Sequence, residues 1–157
     1  MDRAYRIWVF VHVLAVVFGL GPAVALAFVG LRARNAPAPA RRPMAELARD
    51  ISQRVVLPLG AVVLVTGITA ALVGPSDLRP FWVKAGIVLW LVLVTSGITA
   101  LLTVRRIIAI QQASGGSPGE DQRAELAALG RRQAMLSGIT HVTLALALFD
   151  MVWKPGS

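Results

Sequence analysis

The sequence predicts an all-α fold, a four-helix bundle crossing a membrane up-down-up-down. Of 157 residues, 56% are hydrophobic and only 15% charged, with a mean hydropathy of +0.68. Ordinary soluble domains are roughly 45–50% apolar and about 25% charged. The excess is gathered into four runs, 7–31, 55–74, 81–104 and 134–153, each with at most one charged side chain. A helix needs about 20 apolar residues to cross a hydrocarbon core roughly 30 Å thick, and every run is long enough. The basic residues crowd the ends of these runs, where arginine meets lipid phosphate. Disorder is excluded for most of the chain, because it requires low hydrophobicity.

The first helix is expected over about 5–33, an apolar run closed by Arg32 and Arg34. Ala23-Val24-Ala25 resembles a signal cleavage site. The run outlasts the roughly 7–15 residue core of a signal peptide, so it is read as a membrane helix. Asn35 to Ala40 reads as a short stiff linker. Pro43 suits a first helical turn, where its missing amide hydrogen would lack a partner anyway. The second helix is therefore expected over about 44–74, amphipathic at first and bent at Pro58. Gly74-Pro75-Ser76-Asp77 is a turn signature. The third helix is expected over about 80–112, followed by a loop tip at 114–119. Glu120 and Asp121 sit where acidic side chains favour a helix N-terminus. The fourth helix is expected over about 121–154, ended by Lys154-Pro155-Gly156, and residues 1–157 are read as one integral membrane domain.

Eleven of the 16 lysines and arginines lie in the segments 32–54 and 105–132. The positive-inside rule then places both long loops in the cytoplasm and both termini outside. Trp8, Trp82 and Trp153 fall at the outer ends, as an interfacial aromatic belt requires. The net charge of +8 is thus assigned to the lipid bilayer as partner, and nucleic acid is not expected as one. Without cysteine, disulfides, thiolate metal sites and cysteine catalysis are excluded.

Small residues recur along three helices: Ala15, Gly19, Ala23, Ala27; Gly60, Gly67, Ala71, Gly74; Gly86, Gly97, Ala100. Inside lipid such stripes let backbones approach, so they predict a tight bundle; a homo-oligomer or a larger membrane complex is the other use for them. Ile7-Trp8-Val9 is echoed by Phe81-Trp82-Val83, and Ala45-Glu46-Leu47-Ala48 by Ala124-Glu125-Leu126-Ala127. A duplicated helical hairpin and coincidence in a biased composition both account for this.

Ionisable groups in the membrane are costly, so His12, Lys84, His141 and Asp150 are the candidate site residues. His12 shares a face with Ala15 and Gly19 and points into the bundle. It either bonds one backbone or hydroxyl partner or acts as a ligand or proton carrier. His141 has local hydroxyls in Ser137, Thr140 and Thr143, which favours a structural role. Counting about 1.5 Å per residue puts the two histidines about 8 Å apart in depth, which argues against both gripping one iron. Lys84 and Asp150 lie at similar depth and are expected to pair, because each alone faces a desolvation penalty. No resident metal site is expected, and no P-loop, H-E-x-x-H or serine triad is present.

Through His12 with Gly21, and through the ending Met151-Val152-Trp153-Lys154-Pro155, the chain resembles a bacterial family of predicted four-helix integral membrane proteins of unknown function. That family is similar to the HemJ-type protoporphyrinogen oxidases and to the CopD copper-resistance membrane domain. HemJ-like proteins carry a histidine in the first helix and a Trp-plus-Lys motif opening a later one; His12, Trp82 and Lys84 match. The resemblance implies a bacterial inner-membrane location. It offers, beside a structural, accessory or ligand-binding role, the alternative of a haem b oxidoreductase using His12 and Lys84.

Overall fold

The computed structural model describes residues 3–74, 80–115 and 117–154. Helix α1 spans Arg3–Asn35 and α2 spans Ala38–Ile51. A π-helical turn, Ser52–Val56, joins α2 to α3 at Leu57–Val73. Helix α4 spans Phe81–Ala113 and α5 spans Glu120–Trp153. The described residues contain no strand, and their four rods are each long and apolar enough to cross a membrane. The expected turn at Pro75–Asp77, Gly116 of the loop tip and the Pro155-Gly156 stop lie outside the described residues.

The second rod starts earlier than the sequence suggested. The linker shrinks to Ala36 and Pro37, Pro39 occupies the first helical turn, and Pro43 lies inside α2. The reason is local bonding. Pro37 is extended (φ −56°, ψ 151°), and its carbonyl accepts from the Ala40 amide at 2.9 Å. The Ala36 carbonyl accepts from Arg41 Nε at 2.9 Å. With these carbonyls satisfied, the helix forms one turn before Pro43, which forfeits only a single backbone bond.

Where the sequence suggested a bend at Pro58, the structure carries the π turn. Proline has no amide hydrogen, and in a regular helix its ring would strike the carbonyl four residues back. Here the Leu57 amide donates to the Ser52 carbonyl, five residues back, so the helix widens just ahead of the proline.

Helices α1 and α3 run antiparallel with Tyr5 against Gly74, His12 against Gly67 and Gly19 against Leu59. Helices α4 and α5 run antiparallel with Ser96 and Thr140 hydroxyls 3.2 Å apart and Lys154 Nζ 5.4 Å from the Trp82 ring centre. The two hairpins meet where α2, the π turn and α3 lie against α4. Trp90 Nε1 pins this seam by donating to the Gly60 carbonyl at 2.9 Å. Among the described residues no extensive packing joins α1 to α5, so the hairpins part on that side.

Large apolar side chains such as Phe10, Phe18, Phe28, Val88 and Val142 point outward, as lipid contact demands. Trp153 is 68% exposed and stacks on Phe149 at 4.8 Å. The Arg42–Glu46 and Arg106–Glu125 pairs, each 2.8 Å, are surface contacts of small energetic weight. Helix α5 opens with the Gly119 amide donating to Gln122 Oε1 at 3.0 Å. It closes at Lys154, in the left-handed region (φ 44°), whose amide donates to the Asp150 carbonyl at 2.9 Å.

Candidate functional site: an intramembrane cavity

The gap between the hairpins is a cavity of about 1270 Å³ lined by all four rods. Its walls explain where the small-residue stripes go. Gly19 and Gly67 give close packing, as expected: an added Cβ would lie 3.0 Å from Leu59 Cβ and 2.9 Å from His12 Cε1 respectively. Gly60 and Gly97, in contrast, face the cavity with nothing within 4 Å of an added Cβ. The expected uniformly tight bundle is therefore corrected. A small residue recesses the wall, and whether a neighbour fills the recess depends on the next helix.

His12 reaches the cavity from α1. Its Nδ1 lies 3.0 Å from the Val63 carbonyl and 3.1 Å from Thr66 Oγ1. A carbonyl only accepts, so Nδ1 carries the proton, and it is Nε2 that has the lone pair when the ring is neutral. Thr66 Oγ1 in turn donates to the Val62 carbonyl at 2.7 Å, which fixes the hydroxyl. The ring fits only because position 67 has no side chain.

His141 lines the same cavity, and its Nδ1 donates back to the Ser137 carbonyl at 2.6 Å. The helix registers set its depth relative to His12. His12 lies opposite Thr66, and Gly60 on that same helix is bonded to Trp90 of α4. His12 is therefore level with about residue 84 of α4, while the Ser96–Thr140 contact puts His141 level with about residue 95. Eleven residues at 1.5 Å rise separate the imidazoles by about 16 Å along the bundle, twice the depth difference counted from the sequence. No single iron spans that.

The Lys84–Asp150 pair does not form. Asp150 Oδ2 lies 3.4 Å from where a Cβ on Gly86 would sit. Lys84 is two residues from Gly86, about 200° around the helix, and is exposed on the outer face of α4. Asp150 is only 5% exposed, and among the described residues its Oδ2 has no hydrogen-bond partner. Trp82 Nε1, another cavity residue, is likewise buried without a partner among the described residues. Lys154, one turn beyond Asp150, stands at the same end of the cavity, so among the described residues the basic side chain there is Lys154 rather than Lys84. By the same registers Asp150 and His12 differ in depth by only about 3 Å. His12, Trp82 and Asp150 thus gather at one end of the cavity from both hairpins. The other end carries Arg41, Arg123 and Arg131, with Gln111 Oε1 and Gln133 Oε1 buried and unbonded.

Sequence reasoning missed Trp90 as the seam between hairpins and Lys154 as a site residue, and reached Trp82 only through the HemJ resemblance. The i, i+4 spacings Trp82–Gly86 and Asp150–Lys154 were the available signal. Among the described residues, no three His, Asp or Glu side chains converge on a metal position.

Searches of the curated proteins and of the solved structures find no match. The family described as Predicted integral membrane protein (DUF2269) matches residues 6–155. With four membrane-length rods and a match over nearly its whole length, the chain belongs to that family of integral membrane proteins.

Proposed function

We propose that this membrane protein holds a lipophilic small molecule between its two hairpins, in a binding or accessory role. The observation that carries the reading is an apolar cavity ended by buried polar atoms without partners. An empty hollow forfeits the packing of its walls, and a buried polar atom without a partner forfeits its hydrogen bonds. A bound amphiphile restores both. Gly97→Trp plugs the cavity at a recess that accepts a side chain. In native mass spectrometry from mild detergent, the wild type should retain a lipophilic adduct that Gly97→Trp loses. A bare wild-type mass, or equal retention by both proteins, would refute the reading.

A second reading, haem b at His12, is favoured by one contact. Haem-ligating histidines present Nε2 while Nδ1–H is held by an outer partner, and the Val63 carbonyl is placed to be that partner. The cavity volume and apolar walls also suit a porphyrin, which when bound would supply redox chemistry. Of the histidines and Lys84, His12 is the residue that would hold the group; Lys84 is on the wrong face and His141 too deep. Protein expressed with ample haem should then show a Soret band that His12→Ala abolishes and both Lys84→Ala and His141→Ala leave intact. Absence of Soret absorbance in the wild type removes this reading.

The location proposed is the bacterial inner membrane, with both termini outside and the 32–54 and 105–132 segments in the cytoplasm, supported by the distribution of basic residues. The chain lacks cysteine, so Ser117→Cys and Ser157→Cys give clean labelling sites. A membrane-impermeant thiol reagent applied to intact cells should label the Ser157 variant alone. Labelling of the Ser117 variant alone reverses the orientation.

A further inference from the structure

Resting on the cavity reading above, we infer that the occupant is a membrane-soluble quinol: a dihydroxy aromatic head on a hydrocarbon tail. The head lies between His12, Trp82 and Asp150, and the tail follows the apolar walls. Three hydrogen-bonding atoms left unmet among the described residues define the head. Asp150 is 95% buried by its 5% exposure, lines the cavity, and has Oδ2 unpartnered. Trp82 Nε1–H is a donor with no acceptor. His12, its Nδ1 proton committed to Val63, offers Nε2 as an acceptor.

The placement of these atoms selects the class. His12 stands on α1 and Asp150 on α5, the two helices between which the hairpins part, at nearly the same depth. Packed helices stand about 8–10 Å apart, so a wider gap must be bridged by a head carrying oxygen at two opposite ends. A single alcohol serves one wall only. A protonated diamine cannot accept from Trp82 Nε1–H and meets Lys154, whereas a dicarboxylate meets Asp150. A quinol donates one O–H to His12 Nε2 and the other to Asp150, and an oxygen lone pair receives the Trp82 hydrogen. The fit holds for either charge state of Asp150, because a hydroxyl both donates and accepts. The Tyr5, His12 and Trp82 rings supply flat surfaces suited to an aromatic head.

The test is calorimetric titration of the protein in lipid nanodiscs with decylubiquinol, decylubiquinone and decylbenzene. The quinone lacks both hydrogens and the hydrocarbon lacks both oxygens. The quinone leaves His12 Nε2 unmet in either charge state of Asp150, and the carboxylate as well when it is ionised, so it is expected to bind about tenfold or more weakly than the quinol. Trp82→Phe and Asp150→Leu should each weaken the quinol several-fold without weakening decylbenzene. Decylbenzene binding with no quinol advantage in the wild type would overturn the quinol assignment alone. A quinol preference that survives both substitutions would overturn it too, because the head would then lie elsewhere. Failure of all three probes, unaffected by Gly97→Trp, would overturn the cavity reading beneath it.

Discussion

Gly67→Val is expected to destabilise the protein by about 1–3 kcal/mol, the usual cost of forcing extra carbon into a filled site. An added Cβ at position 67 would stand 2.9 Å from His12 Cε1 and 3.3 Å from Nδ1. The ring cannot yield cheaply, because Nδ1 is held by Val63 and Thr66 at 3.0 and 3.1 Å. Either the imidazole swings out, losing those bonds, or α1 and α3 separate along a seam that also seats Gly19 and Gly74. Thermal unfolding in detergent measures the loss. His12→Ala removes the obstruction, so the double variant should be more stable than the two single losses predict by about 1 kcal/mol or more. Strict additivity would mean that His12 and Gly67 are not in contact.

Asp150→Leu is expected to act in the opposite sense and raise stability by about 1–3 kcal/mol. Leucine replaces two oxygens with two methyl groups of similar shape, in a site where Oδ2 gains no hydrogen bond. Most core substitutions destabilise, so a rise in Tm is diagnostic of a side chain kept for something other than folding. A fall in Tm would show that the carboxyl is paired in the folded protein, and the polar end of the cavity would lose its anchor.

The four rods were legible because a 20-residue apolar run has few other uses, and none of the loops competes with them. The inward face of His12 was legible from the neighbouring Ala15 and Gly19. The depth separation of the two histidines was legible in direction, although residue counts from each helix end understate it: the rods extend past the apolar runs and their registers are offset. The face of Lys84 was misjudged for a different reason. Depth places two residues on one level, but two positions along a helix swing a side chain to the far side, and a partner chosen by depth alone ignores that angle. The cavity could not be read at all. Gly19 and Gly97 look alike in a sequence, yet one holds Leu59 and the other opens onto a hollow, because occupancy belongs to the facing helix. The early start of α2 was hidden as well, since bonds from Arg41 and Ala40 to the preceding carbonyls rescue a segment whose prolines read as a linker.

The widened turn at Ser52–Val56 sets a phase. A single extra residue in one helical turn displaces everything upstream by about 100° relative to a regular helix. The arm bearing Arg41, Arg42 and Arg49 is thereby clocked separately from the membrane segment bearing Gly60 and Gly67, although both belong to one continuous rod. Shortening that turn by one residue would leave the α1–α3 seam in step and rotate the arginine arm away from α1 and α4. The angular setting of the arm over the cavity's arginine-lined end is thus stored as a residue count, adjustable without changing the register of the α1–α3 seam.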